Sequence, residues 1–208
     1  MSEIEYFYSA HSAYAYLGSA RLMQIADAEG RAIAHRPIDL RRVVAVTGPG
    51  PNNGRTPERR AYFSGREIRR WAELRGVPVI DGWPTHHDND PALANGMLIA
   101  GLRQGLTVDV LAHRMLEAHW RDDADLAERD TLARLGAQAG LDAAPLLDAA
   151  LSSEVQAAYR ANTQEAIRRS VFGSPTYFVD GDMFYGQDHL EMVARALKRP
   201  FAGDWPPK

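Results

Sequence analysis

Glu3-Ile4-Glu5-Tyr6-Phe7-Tyr8-Ser9-Ala10-His11-Ser12-Ala13-Tyr14-Ala15-Tyr16-Leu17 decides the fold. Residues 3–8 alternate charged or aliphatic with aromatic side chains and are rich in β formers, which predicts a strand ending near Tyr8. Ser12 can then cap a helix, and Tyr16, Leu17, Ala20, Met23, Ile25 and Ala26 recur at helical spacing until Gly30 ends the run. Ala32 to Leu40 reads as a second strand despite Pro37. Together these make a β-α-β unit, whose crossover is expected to be right-handed and parallel.

Beyond this unit the punctuation changes. Thr47 to Thr56 is too dense in Gly and Pro for regular structure. Thr56, Pro57 and Glu58 form an N-cap, a first-turn proline and a dipole-favoured acid, so a helix is expected from there to about Arg75. Ile80 to Asn89 is a loop, and Asp90-Pro91 opens an almost wholly helical stretch to about Ser170, with breaks near Gly105, Asp122 and Gly140. Strand character returns at Pro175 to Val179, Asp180-Gly181 signals a turn, and Met183-Phe184-Tyr185 is the returning strand of a hairpin. Asp188 to Glu191 has the form of a carboxylate capping box ahead of a last helix. The order β-α-β, long helical segment, β-β-α is that of an α/β thioredoxin-like domain with a large all-helical insertion. Residues 1–46 and 168–208 would form the discontinuous thioredoxin-like part, and 47–167 the insertion.

Composition narrows the chemistry. The 208 residues suit one well-buried domain or one domain with an insertion. A net charge of −3 gives no clustered basic excess, so nucleic acid is not an expected partner. The first residues lack a basic region followed by an apolar stretch and no run approaches membrane-spanning length, so no signal peptide and no membrane contact are expected, with the cytoplasm as the default location. The chain contains no cysteine. Dithiol redox chemistry, a thiolate metal site and a protein-borne thiol nucleophile are therefore excluded.

Two constellations can carry chemistry. Ser12 stands where a strand ends and a helix begins, where unpaired N–H groups and the helix dipole stabilise an anion. A thiolate held there would have a lowered pKa; the alternative is that Ser12 only caps the helix. His11 can be read as a general base or as a partly exposed loop residue. In Val171-Phe172-Gly173-Ser174-Pro175-Thr176, a proline at the threshold of a buried strand fits either a cis Ser174–Pro175 bond or an ordinary trans proline entering an edge strand. A cis bond would turn the Ser174 backbone toward an extended ligand. Thr85-His86-His87-Asp88-Asn89-Asp90 has metal-ligand residue types. Adjacent histidines seldom point the same way and Asp90 already serves as a cap, so this loop is read as a border of the substrate entrance, with no metal site expected.

Ser12 with Tyr14, Tyr16 and Leu17, the Val171–Thr176 run, Gly186-Gln187-Asp188, Trp71-Ala72-Glu73-Leu74 and Ile167–Gly173 resemble the 2-hydroxychromene-2-carboxylate isomerases. These belong to the DsbA-like superfamily and are close to kappa-class glutathione transferases. The resemblance covers nearly the whole chain. It implies glutathione as cofactor, with Ser12 contacting the sulfur and Ser174, beside Pro175, pairing with the tripeptide backbone. It implies further that Asn53, or its neighbour Asn52, together with Gln187 and Asp188, holds the rest of the tripeptide. Asp188 would take the ammonium group, and Gln187 and Asn53 would donate amides to carboxylates. Trp120, Trp83 and Tyr185, with Tyr62, can line an apolar pocket for a small aromatic acid. Many relatives carry Ser-Pro at the active site and an acid three residues before the serine, where this chain has Ala13 and Ser9.

The implied activity is glutathione-dependent isomerisation of a bicyclic aromatic hemiketal acid to a trans-o-hydroxybenzylidenepyruvate, in aromatic catabolism. Two alternatives stand beside it. One is a kappa-type transferase that joins glutathione permanently to an electrophile; the other is a non-catalytic thioredoxin-like binding module. Relatives are often dimers, so a homodimer is an expectation from resemblance alone.

Overall fold

The computed structural model describes residues 3–48, 56–203 and 205–206. Strand β1 (Ile4–Tyr8) leads into α1 (Ala13–Ala28) and β2 (Ile33–Pro37), and β3 (Thr176–Val179) with β4 (Asp182–Tyr185) closes the sheet. The sheet order is β2-β1-β3-β4, with β1 parallel to β2 and antiparallel to β3. Tyr6 pairs with His35 on one side and Tyr177 on the other, which puts β1 and β3 at the centre. All four residues of β3 are buried, as expected of a strand covered on both faces.

Alternation along the strands sorts the core. Ile4, Tyr6, Tyr8, Tyr177 and Val179 join the larger apolar cluster with α1, whereas Phe7 and Phe178 pack on the opposite face with Ile38, Val43, Ala166 and Val171. On that second face Glu5 pairs with Arg169, whose guanidinium lies 3.6 Å from the Phe178 ring centroid. The rings of Tyr6 and Tyr8 stack at 4.0 Å, and Tyr8 shares a 2.8 Å hydrogen bond with His35 Nδ1. His35 Nε2 in turn meets Asp109 at 2.8 Å, which ties the sheet to the helical segment.

That segment contains α3 (Pro57–Ala61), a π-helical turn (Tyr62–Arg66), α4 (Glu67–Arg75), α5 (Ala92–Arg103), α6 (Asp109–Arg121), α7 (Arg129–Gln138), α8 (Ala143–Ala150) and α9 (Ser153–Arg168). The expected breaks near Gly105, Asp122 and Gly140 are present. One more falls between α8 and α9, where Ser152 caps α9 by accepting from Val155 N–H. Thr56 caps α3 with Pro57 in its first turn.

Three local expectations need correction. The second strand stops at Pro37, and Leu40–Val46 is a helix, α2, because Asp39 accepts from Arg42 N–H and Val43 is buried on the Phe7 face. Asp90 accepts from Ala92 N–H as expected, but α5 begins only after Pro91. Asp188 caps nothing: a 3-10 turn (Gln187–His189) precedes α10 (Leu190–Lys198), and neither has a side-chain cap.

Candidate active site

Ser12 is the N-cap of α1, and its Oγ accepts from Ala15 N–H at 3.3 Å while donating to the Ser174 carbonyl at 3.3 Å. The N–H group of Ala13 makes no hydrogen bond among the described residues. It is an orphan donor of a first helical turn, beside a buried hydroxyl. The Ser174–Pro175 bond is cis, Ser174 is buried, and its Oγ accepts from Ser9 N–H at 3.4 Å. Ser174 N–H has no partner among the described residues, so an extended peptide can pair with it. A Cβ on Gly173 would sit 2.4 Å from the Tyr185 ring. A side chain there would push the Tyr185 ring aside from its place against Phe172, 4.5 Å away.

Asn95 on α5 locks this corner. Its Oδ1 accepts from Ala10 N–H at 3.0 Å, and its Nδ2 donates to Ser9 Oγ and to Tyr159 OH, both at 3.1 Å. Ser9 Oγ thus receives one proton and has a single acceptor for its own, His11 Nδ1 at 2.9 Å. Assigning the Ser9 hydroxyl proton to this nitrogen puts the His11 proton on Nε2. It is buried, not a partly exposed loop residue, and Trp120 Nε1 donates to its carbonyl at 2.9 Å.

Around His11 stands a cluster. The His11 ring lies edge to face with His87 at 4.8 Å, and His87 contacts Trp83 at 4.3 Å and Trp120 at 5.4 Å. His119 Nδ1 donates to the Ala124 carbonyl at 3.0 Å, which leaves Nε2 as acceptor for His87 Nδ1–H, also at 3.0 Å. By this network His87 is left with a lone pair on Nε2. Burial pushes His11 down to about 3 and His87 to about 2, reinforced by the neighbouring imidazoles and Arg41; burial also lowers His119. All three are neutral at pH 7.

The remaining expected residues are dispersed. Trp83 is 42% exposed at the edge of the cluster, whereas Trp120 is 1% exposed and serves as its floor, not as an open pocket wall. Tyr185 stands on the Ser174 side against Phe172, and Tyr62 packs on Phe63. Trp83 and Trp120 meet edge to face at 5.4 Å. Asp188 is exposed, with His189 Nδ1 at 3.5 Å. Gln187 is fully buried, its Oε1 and carbonyl both accepting from Arg75 at 3.0 Å. Its Nε2 is sealed and unpartnered, so a ligand carboxylate could reach it only if Arg75 and its neighbours moved. Asn52 and Asn53 lie outside the described residues. No group of three His, Cys, Asp or Glu suited to a metal occurs among the described residues, and none of their helices is long and apolar enough to cross a membrane. A cavity of about 370 Å³ does exist, but it lies at the opposite end of β3, walled by Asp180, Asp182, Phe201 and Trp205.

Sequence reasoning placed Ser9 in the stretch around Ser12 and the His86–His87 loop at the substrate entrance, but missed Asn95 and His119, which packing alone brings in.

The family model of the DSBA-like thioredoxin domain matches residues 3–198. The chain belongs to this DsbA-like thioredoxin family. It is 28% identical over 197 residues to a 2-hydroxychromene-2-carboxylate isomerase of Pseudomonas sp. (strain C18), covering 93% of this chain and 89% of that one. A solved structure of 2-hydroxychromene-2-carboxylate isomerase superposes with a TM-score of 0.76 at 25% identity, covering 94% of each chain. The chain is also 26% identical to glutathione S-transferase kappa 1 of Rattus norvegicus over 215 residues, covering 98% of this chain and 94% of that one. These relatives are enzymes, isomerases and a glutathione transferase. Within this DsbA-like family the present chain has no cysteine, and Ser12 caps the first helix after β1.

Proposed function

We propose that this protein is a glutathione-dependent isomerase of bicyclic aromatic hemiketal acids of the 2-hydroxychromene-2-carboxylate type, giving trans-o-hydroxybenzylidenepyruvate products. The observation that carries the reading is the Ser12 corner: a hydroxyl at a helix N-terminus next to the unbonded Ala13 N–H, joined to the carbonyl of Ser174, whose own N–H has no partner among the described residues, beside a cis proline, in a chain without cysteine. That arrangement fits a small thiol carried on a short peptide. Bound glutathione would supply the nucleophile whose reversible addition makes the substrate double bond temporarily single.

The chain's own groups bind and orient. Ser12 Oγ, turning its proton from the Ser174 carbonyl to the sulfur, and the Ala13 N–H stabilise the thiolate, and Ser174 N–H pairs with the tripeptide backbone. The exposed Asp188 receives the ammonium group, and Asn53 donates its amide to a carboxylate. Trp83 stands at the aromatic substrate's edge. Purified protein with glutathione and the chromene tests this. The reading holds if the product is the trans open form and glutathione is recovered unchanged; failure of the pure protein to bind glutathione in calorimetry would sink it. A second reading, permanent conjugation of an electrophile, draws on the similarity to the rat kappa transferase, and a stable glutathione adduct as product would favour it.

A further inference from the structure

A hemiketal can open only if a proton leaves the hydroxyl on the acetal carbon and another reaches the ring oxygen on that same carbon. Direct transfer between two oxygens on one carbon requires a strained four-membered path. A neutral imidazole at that edge removes the strain, because it can accept the proton from one oxygen and hand it to the other.

The site has such a group. His87 and His11 lie ring against ring at 4.8 Å, one residue from Ser12, and their hydrogen bonds fix complementary outer nitrogens. His11 presents Nε2–H and His87 presents a lone pair. Neither Nε2 is among the sealed, unpartnered polar atoms of the interior. The loop carrying His87 is held rather than loose: Arg41 donates to the carbonyls of His87, Asp88 and Asn89, and Thr85 binds Asp123 through its N–H and its hydroxyl. Three imidazoles in contact, each with a defined tautomer, exceed what a hydrophobic floor for Trp120 requires.

We propose that His87 is the proton-transferring residue of ring opening. Its Nε2 takes the proton of the hemiketal hydroxyl as the carbonyl forms and the carbon–ring-oxygen bond breaks. The resulting imidazolium then returns that proton to the phenoxide oxygen released. His11 Nε2–H donates a hydrogen bond to the same oxygen as its charge grows and transfers no proton. This rests on the isomerase reading above and adds a residue and a step to it.

The electrostatics make this role depend on the bound substrate. The groups facing His87 are His11 from the β1–α1 loop, Arg41 from α2, His119 and Trp120 from α6, and Trp83 from its own loop. Without a ligand, burial and then His11, His119 and Arg41 disfavour the imidazolium. An incoming carboxylate adds a negative charge to the site, which moves the balance toward it.

Ring opening needs no thiol, so the glutathione-free protein tests the step alone. Mixed with the chromene and followed by stopped-flow absorbance, wild type should accelerate equilibration of the closed and open cis forms. His87→Gln should slow this by about tenfold to a hundredfold. The comparison substrate is cis-o-methoxybenzylidenepyruvate, whose methyl ether cannot close. With glutathione, the loss on this open analogue should be at least about tenfold smaller than the loss on the chromene. His87→Ala should regain ring opening with added imidazole, which a merely structural role would not permit. Wild-type ring opening in His87→Gln, equal losses on both substrates, or no acceleration by wild type would overturn the proposal. If wild type opens the chromene but leaves the methoxy analogue cis in the presence of glutathione, the isomerase reading fails while the proton-transfer role stands.

Discussion

The Asn95 amide uses one acceptor and two donors to join the β1–α1 loop, Ser9 and α9 through Ala10 N–H, Ser9 Oγ and Tyr159 OH, all on buried residues. Truncation would leave these groups unsatisfied in the interior, so Asn95→Ala should destabilise the protein by about 2–4 kcal/mol, read from urea unfolding midpoints at constant slope. Ser12→Ala should have a smaller stability effect, about 1 kcal/mol from loss of the cap. Its effect on glutathione-dependent turnover should be larger, about a hundredfold or more, because a donor to the developing anion is removed. Ser12 was legible in the sequence because a cap is a local device. The burial of His11 was not, since its cover, Trp120 and His87, comes from remote parts of the chain.

At the scale of elements, α2 shows where propensity misleads. Leu40–Val46 contains three valines, which favour extended structure, yet the Asp39 cap and the burial of Val43 against the second face of the sheet make it helical. The same helix supplies Arg41, which bridges to three consecutive carbonyls of the His87 loop. Arg41→Met keeps the stem and removes the latch. Amide exchange at His87 and Asn89, whose N–H groups close turns onto Pro84 and His86, should then quicken by about tenfold or more. Global stability should change by less than about 1 kcal/mol, because the side chain is exposed. Asp188 fails as a cap because the chain enters α10 through a 3-10 turn. Its carboxylate is thereby left at the surface, where the proposed ammonium contact needs it.

For the whole molecule, we propose that residues 47–167 form an insertion in topology rather than an independently folding unit. Ile4, Tyr6, Tyr16 and Tyr177 share one continuous apolar cluster with Met97, Leu116 and Leu146. Unfolding followed by far-ultraviolet dichroism and by tryptophan fluorescence should therefore give coincident transitions. The buried histidines add a pH dependence. His11 is depressed to about 3 in the folded state, so the unfolded chain binds the extra proton first as pH falls below about 6.5. Stability is full above that value and is lost progressively toward pH 3; at pH 5 His11 alone accounts for about 2 kcal/mol, measurable by comparing urea midpoints at pH 7 and pH 5. By itself the sequence determined the order of the strands and, α2 apart, of the main helical stretches, together with the Ser12 cap and the absence of any protein thiol. These depend on periodicity, capping and composition, which are local properties. Tertiary structure alone decided that Gln187 is sealed behind Arg75, that Trp120 is buried as the floor of the cluster, and that His11, His87 and His119 meet beside Ser12. Those outcomes depend on which distant side chains the sheet and helices bring into contact, and on the desolvation that follows, neither of which spacing along the chain encodes.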